Sequence, residues 1–297
     1  MNGMHGWLVV DKPVGPTSAQ VVGKLKWALR QGGHGKGKIG HGGTLDPLAS
    51  GVLPVALGEA TKLAGHLLNG RKSYRFTIAF GTATSTDDLE GEVTATSAHR
   101  PTEAEIGAVL PRFTGAISQR PPAYSALKVA GQRAYQRARA GEEVLLPERD
   151  ITIHSLDLLA AGDGRATFEV CCSKGSYVRS LARDIALALG SFGHVAMLRR
   201  TGAGAFTLAQ ALPLDKCVAL LHGASPEQAL LPLTAGLDDI PVLAVTPFEA
   251  EALKAGRRIG RPHANPGQYI ATSGSVPVAL VLVSEGDVKV VRGFNLL

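Results

Sequence analysis

The sequence is poor in cysteine and has no long apolar run. Its only cysteines are Cys171, Cys172 and Cys217. An odd count without metal-ligand spacing predicts reduced thiols, as in cytosolic proteins, rather than disulfides or a zinc site. The longest apolar run, Val276 to Val283, is far too short to form a membrane-spanning helix. The sequence therefore predicts a cytoplasmic protein with no metal, no disulfide and no membrane segment.

Acidic residues are absent from two long segments. Lys12 to Leu45 and Ile106 to Gly141 contain no Asp or Glu, although each carries six lysines or arginines. The whole chain of 297 residues has 31 Lys and Arg against 25 Asp and Glu, a net charge of +6. Two basic surfaces can neutralise the phosphates of a polyanion. The same segments also fit ordinary solvated loops, and charge alone does not separate nucleic acid from a membrane surface.

Hydrophobic periodicity predicts both helices and strands. Thr17 and Gln20 form a capping box at the start of an amphipathic helix, and Tyr74 to Phe80 alternates like a half-buried strand. Beyond residue 235 the pattern changes to short strands such as Val276 to Val283. Because the elements follow no strict βαβ order, the predicted fold class is α+β. We expect a main domain over residues 1–235 and a small β-rich domain over residues 236–297.

Glycine is concentrated just before the most informative motif. Residues 31–43 are rich in glycine and predict a mobile loop. The chain continues to Gly51 as His41-Gly42-Gly43-Thr44-Leu45-Asp46-Pro47-Leu48-Ala49-Ser50-Gly51. Glycines let a backbone approach a ligand, and Pro47 disfavours the helical region at Asp46, so the motif displays a carboxylate from an irregular turn. An isolated Asp-Pro is better explained by an aspartate bonded to nearby backbone amides, so the function of Asp46 depends on the surrounding sequence.

The motifs around this turn resemble those of one enzyme family. The run from His41 to Gly51, followed by Gly58-Glu59-Ala60-Thr61-Lys62, resembles the signature of TruB-type tRNA pseudouridine synthases. Five further blocks resemble the family in the same order: Asp11-Lys12-Pro13, Tyr74-Arg75, residues 119–135, residues 174–184 and Leu198-Arg199-Arg200-Thr201. They span roughly two thirds of the chain. One departure is Ser85, where the family usually has an acidic residue.

The resemblance implies a fold as well as a reaction. It implies a mixed, mainly antiparallel central sheet flanked by helices, with an RNA-gripping insertion near residues 120–150. The domain over residues 236–297 would be a PUA-like RNA-binding module. The implied reaction is the isomerisation of the T-loop uridine (position 55) of tRNA to pseudouridine, without a cofactor.

The reaction detaches uracil from C1′ of its ribose and rejoins it through C5, which needs a positioned carboxylate. The resemblance assigns this role to Asp46, which would attack the base, attack the ribose or remove a ribose proton. It implies that Arg179 pairs with the aspartate and that Tyr74 stacks on the uracil and assists proton transfer. Tyr177 and Leu198 would be walls of the same pocket. By pattern alone, Tyr74 and Leu198 also fit ordinary core positions.

A uridine in a folded loop must leave its stack before it reacts. The resemblance implies that the side chain of His41 fills the space that the uridine leaves in the stack. Without the resemblance, His41 is explained as a solvent-exposed histidine. The remaining expected RNA-binding residues are four cations that would hold phosphates and one carboxylate that aligns with a retained acidic position: Lys12, Lys62, Lys128, Arg133 and Asp88.

We therefore expect a monomeric enzyme that binds the T stem-loop of tRNA and has no obligate protein partner. One alternative is a non-catalytic RNA-binding module or tRNA-folding chaperone, which would be favoured if Asp46 or Arg179 were missing. Another is a pseudouridine synthase that acts on a different RNA, which would lack the insertion around Tyr124 to Tyr135. A metabolic α/β enzyme would need a nucleotide motif or a metal cluster, and the sequence has neither.

Overall fold

The computed structural model describes residues 4–35, 37–125, 127–129, 131–223, 225–237 and 240–296. Lys36 of the first basic segment and Ala126 of the insertion motif lie outside these residues. Contacts divide the chain into two compact units. The first unit contains Met1–Asp46, Val52–Leu68 and Gly204–Leu297, and the second unit contains Pro47–Gly51 and Asn69–Ala203.

The described residues form helices and strands in irregular alternation. The helices are α1 (Ser18–Gln31), α2 (Ala64–Asn69), α3 (Glu103–Val109), α4 (Ala134–Arg139), α5 (Val178–Ala188), α6 (Leu214–His222) and α7 (Pro247–Lys254). The strands are β1 (Gly6–Lys12), β2 (Ile39–His41), β3 (Ala49–Leu57), β4 (Lys72–Phe80), β5 (Thr82–Thr84), β6 (Val93–Thr96), β7 (Gly115–Gln119), β8 (Lys128–Val129), β9 (Gln132–Arg133), β10 (Arg149–Gly162), β11 (Arg165–Cys172), β12 (Gly193–Ala203), β13 (Phe206–Thr207), β14 (Leu212–Pro213), β15 (Val242–Ala244), β16 (Ile259–Gly260), β17 (Gly267–Ser273), β18 (Val276–Ser284) and β19 (Asp287–Gly293). Short 3₁₀ turns lie at Gly58–Leu63, Leu110–Phe113, Leu208–Gln210, Pro226–Ala229 and Leu233–Gly236.

The second unit is built on a mixed sheet with the order β3-β12-β4-β11-β10-β7. The first residues of β3 pair with β12 in parallel, and every other neighbouring pair in this order is antiparallel. Phe76 of β4 lies opposite Phe168 of β11, and their rings stack with centroids 5.1 Å apart. Both are fully buried, and each contributes about 2–3 kcal/mol of hydrophobic stabilisation. Helices α3 and α5 add Ile106 and Ile185 to this core.

Gly51, the last residue of the sequence motif, joins β3 closely to β12. It has a φ of +102°, and it pairs with Arg200 in the parallel register. A Cβ at this position would collide with the carbonyl oxygen of Arg200 and lie 2.9 Å from its amide nitrogen. Both the backbone conformation and the close approach therefore require glycine here.

We expect Gly51→Ala to destabilise the chain by about 3 kcal/mol, because backbone strain and a steric clash each cost about 1–3 kcal/mol. Urea denaturation measures this cost. The matched control is Gly107→Ala in α3, where a Cβ would meet no atom within 4 Å. That change should be neutral or slightly stabilising, since alanine favours a helix interior. Equal stability of the two variants would contradict the clash at Gly51.

The first unit has its own strand pairs and a separate C-terminal sheet. Strand β1 pairs with β14 in parallel, and β2 pairs with β3 antiparallel. Trp7 of β1 is fully buried, packs its ring on Phe206 and donates a hydrogen bond from Nε1 to the carbonyl of Leu233. The C-terminal strands form a five-stranded sheet with the order β15-β17-β18-β19-β16, against which α7 packs.

The predicted α+β class with a mixed, mainly antiparallel sheet is confirmed. The capping box of Thr17 and Gln20 is present at the start of α1. The prediction of a loop over residues 31–43 is wrong in part, because α1 includes Gln31 and Ile39–His41 form β2. The insertion near residues 120–150 contains β8, β9 and α4. The boundary at residue 235 stays a prediction. No helix of the described residues is long and apolar enough to span a membrane.

Candidate active site

Asp46 follows Leu45, whose backbone amide and carbonyl both bond to the side chain of one serine. The hydroxyl of Ser18, the first residue of α1, accepts a hydrogen bond from the Leu45 amide at 2.8 Å. The same hydroxyl donates to the Leu45 carbonyl oxygen at 3.0 Å. Ser18 is 1% exposed and Leu45 is 3% exposed, so these bonds are shielded from water. The backbone before the carboxylate is therefore held in place, while Asp46 itself is half-buried.

Gly42 of the motif packs where a larger residue would not fit. Gly42 donates its amide to the Pro54 carbonyl at 2.8 Å, and a Cβ on it would lie 2.8 Å from Cδ1 of Leu67. His41, one residue earlier, pairs with Val55 across β2 and β3 and is half-buried. The structure thus places His41 at the end of a short strand, five residues before Asp46.

Arg179 lies in the first turn of α5 and is almost completely buried. It is 6% exposed, and its Nε lies 3.6 Å from Oδ2 of Asp88. Its Nη1 donates to the carbonyl of Thr86 at 2.9 Å, and its Nη2 donates to the carbonyl of Tyr124 at 3.0 Å. A planar guanidinium with several directed bonds has little rotational freedom. Arg179 therefore connects α5, the loop after β5 and the insertion.

Tyr177, the N-cap of α5, is held by two residues to which the sequence pattern assigned no role. The Gln119 side chain accepts from the Tyr177 amide at 2.8 Å and donates to the Tyr177 carbonyl at 3.2 Å. The guanidinium of Arg149 lies over the Tyr177 ring, 4.9 Å from its centroid, and also donates to the carbonyl of Gly175. These contacts join residues up to 58 positions apart, so no local sequence signal indicates them.

Tyr74 and Leu198 lie on neighbouring strands of the second unit. Tyr74 of β4 pairs with Arg200 of β12, and Leu198 of β12 pairs with Phe76 of β4. Both Tyr74 and Leu198 are half-buried and pack against the hydrophobic core. The structure brings these two residues together on one sheet, next to the start of β3, where Ala49 pairs with Leu198.

Lys72 is a buried cation on the same strand as Tyr74. It is 8% exposed, and its Nζ donates to the carbonyl of Gly70 at 2.7 Å. Burial, together with the positive charge of Arg200, lowers the pKa of Lys72 from 10.5 to about 8. Its register partner Cys172 is also buried, and burial raises the pKa of that thiol to about 11.

This lowered pKa predicts a pH-dependent stability. The unfolded chain keeps Lys72 protonated up to about pH 10.5, whereas the folded chain loses the proton above about pH 8. Between these values the unfolded state holds more protons, so the contribution of Lys72 to stability should rise with pH. We expect the free energy of unfolding of the wild type to rise relative to Lys72→Met across this range. Urea denaturation of both proteins at matched pH measures it, and a constant difference would contradict the burial effect.

Two of the predicted RNA-binding residues lie inside the protein. Lys12 is fully buried and donates from Nζ to the carbonyl of Pro13 at 2.9 Å. Asp88 is 5% exposed, accepts from the hydroxyl of Thr86 and from the amide of Glu90, and pairs with Arg179. Lys12 has no exposed surface with which to contact a phosphate. Both side chains thus have internal partners, and their expected contact with RNA stays a prediction.

Lys62 also has internal partners. Its Nζ lies 2.6 Å from Oε2 of Glu59 and donates to the carbonyl of Gly293 at 2.7 Å. The amide of Asn295 donates to the same Glu59 carboxylate. Burial alone would raise the pKa of Glu59, but the bonds from Lys62 and Asn295 outweigh it and lower this pKa. The ammonium of Lys62 is thus held in place by the end of β19, with 29% of the side chain exposed.

Lys128 and Arg133 lie on the surface, where a phosphate can reach them. They lie opposite each other in the β8-β9 hairpin, and both are exposed. By contrast, Arg183 forms ion pairs with Asp87 at 3.2 Å and Asp184 at 2.9 Å, a structural arrangement. Among the described residues, no group of three or more His, Cys, Asp or Glu side chains could hold a metal ion.

Comparisons with known proteins show the family of this chain. The N-terminal domain model of the TruB family pseudouridylate synthases matches residues 30–178. The C-terminal domain model of tRNA pseudouridylate synthase B matches residues 179–238. The tRNA pseudouridine synthase B of Novosphingobium aromaticivorans is 54% identical and covers 99% of this chain and 98% of that protein. The enzyme of the same name from Zymomonas mobilis is 53% identical, over 98% of this chain and 96% of that protein.

Solved structures share the fold over nearly the whole chain. A protein in an H/ACA RNP bound to a substrate RNA containing 2′-deoxyuridine is 25% identical, with a TM-score of 0.75, over 98% of this chain and 85% of that one. A chain of a Cbf5-Nop10-Gar1 complex is 26% identical, with the same TM-score and coverage. On its sequence, the chain belongs to the TruB family of pseudouridine synthases.

Proposed function

We propose that this enzyme isomerises one uridine in the T loop of tRNA to pseudouridine, with Asp46 as its catalytic carboxylate. The observation that carries the proposal is the fixed peptide before Asp46, whose Leu45 amide and carbonyl both bond to Ser18. A carboxylate that attacks a carbon or removes a proton must be held within a fraction of an ångström of its target. Relatives that share about half of all residues are named for action on tRNA.

The reaction requires only a rearrangement within the nucleotide. The N1–C1′ bond breaks, the uracil turns, and a C5–C1′ bond forms while C5 loses a proton and N1 gains one. Atoms and electrons therefore balance without a second reactant. Attack by Asp46 on the base, attack on the ribose and removal of a ribose proton all need an ionised carboxylate. A positive charge favours that form, and this is the role that family resemblance gives to Arg179.

Tyr74, Tyr177 and Leu198 are proposed as the surfaces that receive the extruded uracil. Tyr74 offers a ring for stacking and a hydroxyl for proton transfer at C5. Tyr177 suits a wall role because Gln119 and Arg149 hold its backbone and ring. His41 is proposed to fill the space left by the uridine. Lys128 and Arg133 offer exposed charge for phosphates, and we propose that the enzyme acts as a monomer.

The test compares two RNAs that differ in how the uridine is presented. One is an unmodified T stem-loop transcript, and the other is a single-stranded RNA of equal length with the same uridine context. The proposal predicts conversion of one loop uridine in the stem-loop and little reaction of the single strand. Mapping by carbodiimide modification and primer extension locates the product.

The H/ACA structures favour a second candidate, in which a guide RNA presents the uridine. On that account the stem-loop stays unreacted, and the single-stranded RNA reacts once a guide strand pairs with it on both sides of the uridine and leaves the uridine unpaired. Reaction of the stem-loop alone would contradict the guided account. If only the guided RNA reacts, the T-loop assignment is wrong.

A further inference from the structure

Helix α1 carries an exposed tryptophan to which the proposed reaction assigns no role. Trp27 is 53% exposed, and its ring stacks on His222 of α6 with centroids 6.3 Å apart and planes inclined by 25°. The chain has one other tryptophan, Trp7, which is fully buried. Single exposed hydrophobic residues are common, so the exposure of Trp27 alone indicates no ligand. The charges around it provide the second observation.

Two cations share the outer face of α1 with this ring. Arg30 lies four residues after Lys26 and three after Trp27, so its side chain neighbours each of them on the surface of α1. Lys26 and Arg30 are exposed, and neither side chain has a hydrogen bond or ion pair within the described part of the chain. Like charges at this spacing destabilise a helix by about 0.2–0.5 kcal/mol. The proximity of these two charges therefore does not stabilise α1.

The neighbouring acidic charge is already paired. Lys24, also on α1, binds Asp215 of α6 at 2.8 Å. No Asp or Glu occurs between Lys12 and Leu45, so the outer face of α1 keeps its positive charge. Arg30 gains some stabilisation from the helix C-terminus, but Lys26 lies more than a turn from that end. An aromatic ring beside free cations matches the stacking and phosphate contacts of single-stranded nucleic acid. The unpaired positive charge of Lys26 and Arg30 complements the phosphates of such a strand.

We propose that Trp27, Lys26 and Arg30 form an auxiliary docking surface for the RNA substrate. An unpaired nucleobase stacks on the outer face of Trp27, and the phosphates beside it pair with Lys26 and Arg30. His222 supports the inner face of the Trp27 ring and holds the ring between α1 and α6. The identity of the RNA as the substrate rests on the proposed function.

The two tryptophans make the surface directly observable. Unmodified full-length tRNA transcript is titrated into the wild type and into Trp27→Phe, and tryptophan fluorescence is followed. We expect quenching in the wild type with a midpoint equal to the Kd from filter binding. In Trp27→Phe the quenching should disappear, because the remaining Trp7 is buried. Full quenching in Trp27→Phe, or none in the wild type, would overturn the proposal.

The Kd for tRNA and its dependence on salt test how much this surface contributes to binding. Trp27→Ala should raise the Kd for the tRNA about tenfold, while Trp27→Phe should retain most of the affinity. Lys26→Ala and Arg30→Ala should each lower the slope of log Kd against log salt by about one. The matched control is Leu159→Ala on β10, a position 46% exposed, which should change neither value. An unchanged Kd for Trp27→Ala would overturn the docking surface.

The outcomes separate this inference from the proposed reaction. If the wild type makes no pseudouridine but Trp27 fluorescence is quenched and its removal weakens binding, the docking surface stands and the reaction fails. If conversion proceeds with the same KM in the wild type and in Trp27→Ala, the reaction stands and the docking surface fails.

Discussion

Replacing Arg179 by methionine is expected to destabilise the chain by about 3–5 kcal/mol and to abolish pseudouridine formation. The change leaves the carboxylate of Asp88, which is 5% exposed, without its cation. It also removes the donors that bond to the carbonyls of Thr86 and Tyr124. An uncompensated buried charge is costly because water cannot solvate it. Urea denaturation followed by circular dichroism measures the loss.

A double-mutant cycle separates the ion pair from the other bonds of Arg179. Asp88→Asn alone should also be destabilising, but Arg179→Met with Asp88→Asn should cost less than the sum of the two single changes. Arg183→Met is the matched control, since Arg183 is 25% exposed and water can replace its partners. If the losses of stability from Arg179→Met and Asp88→Asn simply add in the double variant, the two side chains are not coupled. If Arg183→Met destabilises the chain as much as Arg179→Met, burial of the Arg179 ion pair does not explain the loss.

Replacing Asp46 by asparagine should lower kcat by about four orders of magnitude or more. The amide has nearly the shape of the carboxylate, but it is a poor nucleophile and a poor proton acceptor. Because Ser18 bonds to the backbone of Leu45, not to the Asp46 side chain, these two bonds do not depend on the carboxylate. We therefore expect the Kd for tRNA to stay close to the wild type.

The control for this variant is Asp157→Asn, the same chemical change at an exposed position of β10. It should leave kcat, Kd and stability unchanged. Single-turnover conversion measures kcat, and filter binding measures Kd. Residual activity within tenfold of the wild type would show that Asp46 is not the catalytic group. A large loss of stability or binding would instead assign it a structural role.

Sequence patterns predicted the elements whose signals are local. The capping box of Thr17 and Gln20 marks the start of α1, because it satisfies backbone donors within one turn. Alternating residues over Tyr74 to Phe80 identify β4, because one face of that strand is buried in the core.

Elements fixed by distant partners were not predicted. Strand β12 contains Arg199, Arg200 and Gly202, which do not favour a strand, and its pairing with β4 determines its conformation. Arg200 is 1% exposed and Lys12 is fully buried, although both residue types usually face water. Burial of such side chains depends on partners that come from other segments, and their sequence context does not indicate this.

In the candidate site, too, the sequence indicates the features with local signals and not those that depend on distant residues. The motif from His41 to Gly51 identified Asp46, because its residues are consecutive. The bonds of Ser18 to Leu45 join positions 27 residues apart, and those of Gln119 to Tyr177 join positions 58 apart. Asp88 was expected near RNA, whereas the structure pairs it with Arg179. Residue roles that depend on tertiary contacts became visible only in the folded chain.

Conversion of unmodified tRNA by the wild type is the most direct test of the central claim. The enzyme is first treated with a chelator and desalted, then incubated with transcript, and pseudouridine is mapped by carbodiimide modification and primer extension. We predict that one T-loop uridine per tRNA becomes pseudouridine and that no other uridine changes. Tight binding of the transcript without any conversion, or conversion only outside the T loop, would contradict the proposed function.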